Sequence, residues 1–256
     1  MLIKFKLKQY LWIVISIITL AITVLPVYAQ QRFSSHQGFQ LSTFSAIKAG
    51  VYQGENTVAE IKRYGDFGLG TFDGLDGELV LLNGKFYQIK TDGIAYSVPD
   101  DIKIPFIVMT FFRQDESLRL NGKINYQELQ QQINQHLPSQ NLPVAIRLEG
   151  VFPYLKVRSV PKQVLPYPGY ESIVKNQQKV FELRNVKGTL VGFRFPQYMN
   201  GVNVPGYHFH FITSDRQTGG HLMDGIFLNA VADIETLQNW QIKFPNNSGF
   251  KQANME

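Results

Sequence analysis

The stretch Gly206-Tyr207-His208-Phe209-His210-Phe211-Ile212-Thr213 constrains this chain more than any other. Successive side chains of a strand point to opposite faces, so His208 and His210 share one face while Phe209 and Phe211 take the other. The polar run from Thr213 to Gly220 reads as a hairpin loop, and a reversal centred between Asp215 and Arg216 sets His221 opposite His210. Three of the five histidines, all within fourteen positions, then converge on one point.

Three neutral imidazoles with no thiolate suit Zn2+ or another divalent transition metal, and three protein ligands leave a fourth position for water or substrate. The competing reading is a common H-x-H pair with a third histidine nearby on the surface; the hairpin spacing favours the metal. His36 and His136 stand in polar settings and are expected to be solvated.

The N-terminus is a separate matter. Lys4, Lys6 and Lys8 precede an apolar run from Tyr10 to Leu25 and the small-residue end Val27-Tyr28-Ala29, the pattern of a signal peptide cleaved after Ala29. An uncleaved anchor is the alternative, since the run is near the lower limit for spanning a bilayer. The expectation is an exported protein, periplasmic or extracellular. It contains no cysteine, so its stability must come from its core, from metal and from assembly. Three of the 25 basic residues lie in the leader, leaving 22 against 20 acidic ones. That balance is no electrostatic footprint for nucleic acid.

Over the full sequence, 44% hydrophobic and 18% charged residues describe a globular protein. Residues 30–40 are polar and expected to be irregular; residues 41–52 carry apolar side chains at helical spacing. Thr57-Val58-Ala59-Glu60 has the form of a capping box and predicts a short helix from Val58, ending by Gly65. The glycines of residues 65–77 do not keep the G-x-G-x-x-G order of a nucleotide site and are read as tight turns and close backbone approaches. Asn83-Gly84 between Leu79–Leu82 and Lys85–Lys90 predicts a type I′ hairpin, Asp92-Gly93 another turn, and residues 105–112 a buried strand. Residues 126–137 show one apolar helical stripe, and strands are expected at 144–148, 154–160, 180–183 and 188–195. The three prolines of residues 161–170 mark the strongest composition break. The expected architecture is α+β, two-lobed and β-rich, with mixed sheets and a few short helices. Residues 30–165 would form an N-terminal mixed-sheet lobe, and 166–256 a C-terminal sheet lobe carrying the metal.

A metal site that does chemistry also needs a proton donor and a holder for substrate charge. Glu78 opens a strand otherwise written Leu-Val-Leu-Leu, where burial would raise its pKa; the alternative is an ordinary strand-end carboxylate. Arg158 or Arg147, each within a strand, offers a guanidinium for a carboxylate, and the pattern does not choose between them or exclude a structural salt bridge.

Several motifs, in order and at consistent spacing, resemble the acetolactate decarboxylase family. They are Gly65-Asp66-Phe67-Gly68-Leu69-Gly70-Thr71-Phe72 with Leu75-Asp76-Gly77-Glu78-Leu79, the Pro105–Thr110 strand, Lys156-Val157-Arg158-Ser159-Val160-Pro161, and Gly201 to Ile212 continuing to Gly219-Gly220-His221-Leu222. The resemblance covers residues 41–254. It implies a zinc-dependent carbon–carbon lyase that converts 2-acetolactate to acetoin and CO2 through a metal-stabilised enediolate, in a two-lobed fold that forms a homodimer through its N-terminal sheet. It also implies His208, His210 and His221 as zinc ligands, Glu78 and Arg158 as active-site residues, and Thr71 as a pocket residue. Similar family members continue past Gln252-Ala253-Asn254 and supply a second glutamate from that tail; here Met255 and Glu256 follow, and Glu256 is not at the matching distance. Two other classes stay open. A cupin-type metalloenzyme also uses an H-x-H strand, but Ser214 and Asp215 stand where its glutamate is expected. The second is a secreted metal- or ligand-binding protein without catalysis.

Overall fold

The computed structural model describes residues 36–255, so the expected signal peptide (residues 1–29) and the terminal Glu256 lie outside the described residues. Among the described residues, no helix is long and apolar enough to cross a membrane.

The described chain begins with β1 (Gln37–Leu41), α1 (Phe44–Lys48), β2 (Asn56–Thr57) and α2 (Val58–Ile61). Strands β3 (Phe67–Thr71), β4 (Glu78–Leu82), β5 (Lys85–Ile89), β6 (Ala95–Ser97), β7 (Lys103–Ile104) and β8 (Phe106–Thr110) follow. Then come β9 (Glu116–Asn125), α3 (Tyr126–His136), β10 (Val144–Ser159), α4 (Tyr170–Asn176) and β11 (Lys179–Phe195). The last elements are β12 (Gly206–Thr213), β13 (Gly219–Thr236), β14 (Asn239–Lys243) and α5 (Ser248–Gln252).

Local chemistry accounts for many of these boundaries. The Thr57 side chain accepts from Glu60 N while the Glu60 carboxylate accepts from Thr57 N, so the capping box starts α2 as the sequence predicts. Asn83 and Gly84 take φ of 53° and 72°, the values a type I′ turn requires, and join β4 to β5 directly. In β3 the glycines serve close approach: a Cβ at Gly70 would sit 2.2 Å from the Phe106 carbonyl oxygen of β8.

Two main sheets result, which is the β-rich α+β class with mixed sheets and few helices. A seven-stranded sheet runs β14-β1-β8-β3-β4-β5-β6, with β1 and β14 parallel and its other pairs antiparallel. A five-stranded sheet runs β10-β11-β12-β13-β9, and an additional β10–β13 pairing closes four of its strands on themselves. One apolar cluster, including Leu69, Val80, Val108, Val191 and Phe193, joins the facing sides of the two sheets. A second, with Phe152, Phe209, Phe211 and Phe227, fills the closed strands and receives Leu129 and Ile133 from α3. The third covers the other side of the seven-stranded sheet under Val58 and Ile61 of α2.

The structure departs from the sequence expectations in five places. Residues 37–41, expected to be irregular, form buried β1; its polar Gln40 is satisfied by Ser42 O, Val202 O and Asn203 Nδ2, partners remote or invisible to pattern. The paired segments 144–148 and 154–160 are one strand, β10, whose register against β13 shifts across Gly150 and Pro153; a bulge absorbs the missing proline N–H. Likewise 180–183 and 188–195 are continuous in β11, because Gly188 allows the Ile212 carbonyl of β12 to approach and does not end the strand. Finally, the sheets change between Thr110 and Glu116, and β14 returns to the first sheet, so strand membership does not follow a 30–165/166–256 division. The prolines of residues 161–170 mark a surface connection; prolines remove backbone donors wherever they occur and carry no information on which sheet comes next.

His36 is also not a solvated surface residue. It is half-buried at the entry to β1, with Nδ1 lying 3.5 Å from Asp115 Oδ2 and 3.7 Å from Glu235 Oε1. His136 is exposed, as expected, and pairs with Glu116.

Candidate metal centre

Alternation along β12 sends Phe209 and Phe211 into the apolar interior of the closed strands and turns His208 and His210 to the opposite face. The Thr213–Gly220 reversal puts His221 in register with His210 across β12 and β13. His208 Nε2 lies 3.2 Å from both His210 Nε2 and His221 Nδ1, and the last two are 3.3 Å apart. Three mutual contacts between ring nitrogens cannot all be hydrogen bonds, since at least one pair has no proton suitably placed between its members. A tetrahedral ion with bonds of about 2.0–2.1 Å needs donors about 3.3–3.4 Å apart, so the triangle fits a metal. Among the described residues this is the group of ligating side chains able to hold one.

The sheet beneath fixes the ring orientation. His210 Nδ1 lies 2.7 Å from the Leu79 carbonyl oxygen, which can only accept, so the proton is on Nδ1 and the Nε2 lone pair faces the triangle. Burial pushes all three imidazoles well below their ordinary range, with the Arg158 charge adding to it. His210 reaches about 3. Neutral rings are the form that ligates a metal.

Glu78 and Arg158 come to the same place from opposite sheets. Glu78 opens β4 in register with Thr71 of β3, and Arg158 near the end of β10 is in register with His221. Arg158 Nη1 donates to Glu78 Oε1 at 2.8 Å, while Glu78 Oε2 stands 3.2 Å from His210 Nε2. The carboxylate therefore bridges the guanidinium and the histidine triangle. Burial pushes the Glu78 carboxyl above its ordinary range, although Arg158 pulls the other way. Arg147, the rival in the sequence, lies away from the pocket and pairs with its neighbour Glu149.

Thr71 is buried in the same pocket, and its hydroxyl donates to Gly77 O at 2.8 Å, leaving lone pairs to offer. The remaining walls are apolar: Phe44, Ile47, Leu75, Phe106 and Val160. Two polar contributors were not singled out in the sequence. The Leu79 carbonyl is a backbone group without any side-chain signature. Tyr170, whose hydroxyl accepts from Arg158 Nη2 at 3.1 Å, follows the proline-rich segment and carries no spacing that ties it to a strand in another part of the chain.

The arrangement combines a metal triangle, a buried acid of raised pKa, a fixed cation and an apolar enclosure for a small anion. Comparison with known proteins points the same way. Residues 39–256 match the family described as alpha-acetolactate decarboxylase. The chain is 46% identical over 217 residues to the alpha-acetolactate decarboxylase of Methanosarcina mazei, covering 85% of this chain and 75% of that protein. It is 43% identical over 220 residues to that of Methylococcus capsulatus, covering 86% and 84%. The crystal structure of alpha-acetolactate decarboxylase from Bacillus subtilis superposes with a TM-score of 0.84 at 40% identity, over 86% of this chain and 94% of that one. On sequence and fold together, the chain belongs to the alpha-acetolactate decarboxylase family.

Proposed function

We propose that this chain decarboxylates 2-acetolactate to acetoin and CO2 with zinc held by His208, His210 and His221. The observation that carries the reading is the buried Glu78–Arg158 pair set directly against the histidine triangle. When bound, the metal supplies a Lewis acid for the substrate oxygens.

The protein's own groups divide the remaining work. Arg158, already oriented by Glu78, offers N–H donors to the substrate carboxylate or hydroxyl. Thr71, its proton committed to Gly77 O, accepts from the tertiary hydroxyl. Loss of CO2 leaves the carbon–carbon bonding pair on the substrate, and a proton must reach carbon. Glu78, whose burial favours the protonated form, delivers it from a fixed side and so sets the configuration of acetoin. The walls of Phe44, Ile47 and Phe106 receive the methyl groups and keep water from competing for the proton. Export follows in this reading from the leader pattern of residues 1–29, and assembly as a homodimer from the family resemblance.

The test is acetoin formation from racemic 2-acetolactate by the purified protein, before and after dipicolinate treatment and after zinc is restored. Activity should vanish and return. Turnover that persists after exhaustive chelation would remove the metal from the reaction, and a folded, zinc-loaded protein without turnover would favour a binding protein.

A further inference from the structure

Arg158 has two acceptors: Glu78 Oε1 on Nη1 and the Tyr170 hydroxyl on Nη2. A guanidinium can only donate, so the phenol oxygen accepts, and its own proton must go elsewhere. Among the described residues, no acceptor takes it. Tyr170 lines the pocket shared by the histidines, Glu78 and Thr71, so that proton is available to a bound oxygen. Burial raises the phenol above its ordinary range, with Glu78 adding to the effect and Arg158 opposing it, and the group stays a neutral donor.

The ring is held from several sides. Phe44 of α1 meets it edge-on, with centroids 5.6 Å apart and planes at 80°. The segment that delivers it is pinned by Tyr52, whose hydroxyl donates to Pro168 O at 2.9 Å and whose ring lies 5.2 Å from that of Tyr167. A connection that reads in the sequence as a composition break thus carries a polar group to the active pocket from outside both sheets.

We propose that Tyr170 is a substrate-orienting residue: its oxygen holds the Arg158 guanidinium on the side away from Glu78, and its proton is donated to a carboxylate oxygen of the bound 2-hydroxy-3-oxo acid. The inference rests on the decarboxylase reading for the identity of the substrate. Its geometry requires only a small 2-hydroxy acid anion.

Tyr170→Phe removes the hydroxyl and keeps the ring against Phe44. Two measurements on the full metal-loaded protein test it: calorimetric binding of 2-hydroxyisobutyrate, which needs no turnover, and KM and kcat for 2-acetolactate. A hydrogen bond to a charged group predicts a rise of about tenfold or more in both Kd and KM, with the melting temperature nearly unchanged. The circular dichroism spectrum and bound metal content of Tyr170→Phe, compared with the wild type, separate a lost hydrogen bond from a folding defect. Unchanged Kd and KM in a folded variant overturn the proposal, as does a wild-type protein that fails to bind 2-hydroxyisobutyrate. A wild type that binds this anion in a Tyr170-dependent way yet releases no acetoin sinks the decarboxylase reading alone and leaves the orienting role standing.

Discussion

Glu235 gives the most quantitative test of this structure, because it lies away from the histidine triangle. Its side chain is fully buried at the end of β13, and burial pushes its pKa from 4.5 to about 7; Asp115 and Asp66 push in the same direction, against the Arg113 backbone and the Thr110 hydroxyl. The geometry around Thr110 also accommodates a protonated carboxyl. Thr110 Oγ1 lies 3.1 Å from Gln37 O and 3.3 Å from Glu235 Oε2, and one hydroxyl proton cannot serve both. A protonated Glu235 that donates to Thr110, while Thr110 donates to Gln37, satisfies the chain of contacts.

The sign follows from proton counting. Below 4.5 the carboxyl is protonated in both states and has no effect; between 4.5 and about 7 only the folded state holds the proton, so stability falls as pH rises, and above about 7 the loss is complete. The shift corresponds to about 3 kcal/mol, and solvent reaching the site past His36, whose side chain is 26% exposed, reduces this to an expected ~2 kcal/mol. Glu235→Gln keeps the shape without a carboxylate to ionise. Urea unfolding of the two proteins at steps from pH 5 to pH 8 measures the difference, in which the metal site's own pH dependence cancels. The variant should match the wild type near pH 5 or fall slightly below it, and gain about 2 kcal/mol relative to it by pH 8. A difference that does not change with pH would refute the reasoning.

Glu78→Gln should lower kcat by two orders of magnitude or more while zinc stays bound, measured by acetoin release and metal content, since the amide cannot deliver the proton; Arg147→Ala, away from the pocket, should leave kcat unchanged. Gly192→Ala should destabilise by about 1–3 kcal/mol in urea unfolding. Its Cβ would fall 2.0 Å from the Phe209 ring, which is buried and stacked on Tyr207, so the ring has no free direction in which to move. A variant as stable as the wild type would show that this packing relaxes at little cost.

Much of the site is legible from short-range pattern. Period-two alternation fixes the face shared by His208 and His210, and the turn residues fix the register of His221, because both are local properties of a hairpin. The same locality explains why the Thr57 capping box and the Asn83-Gly84 hairpin are readable. The strands β1, β9 and β14 are not: Gln40 is buried by partners as distant as Asn203, and in β9 the alternation of Leu118, Leu120 and Ile124 is interrupted by Asn121-Gly122, a pair that reads locally as a turn.

By itself, then, the sequence determined the histidine hairpin, several turns and caps, and through its ordered motifs the family. The family resemblance had already preferred Arg158 to Arg147; only the tertiary structure decided that Glu78 bridges Arg158 to His210, that Leu79 sets the tautomer and that Tyr170 completes the pocket. The physical reason is sequence separation: Arg158 and Glu78 are 80 residues apart, and His210 and Leu79 are 131 apart. Contacts of that range exist only after two sheets have packed their facing sides, and no local periodicity records which side chains will then meet.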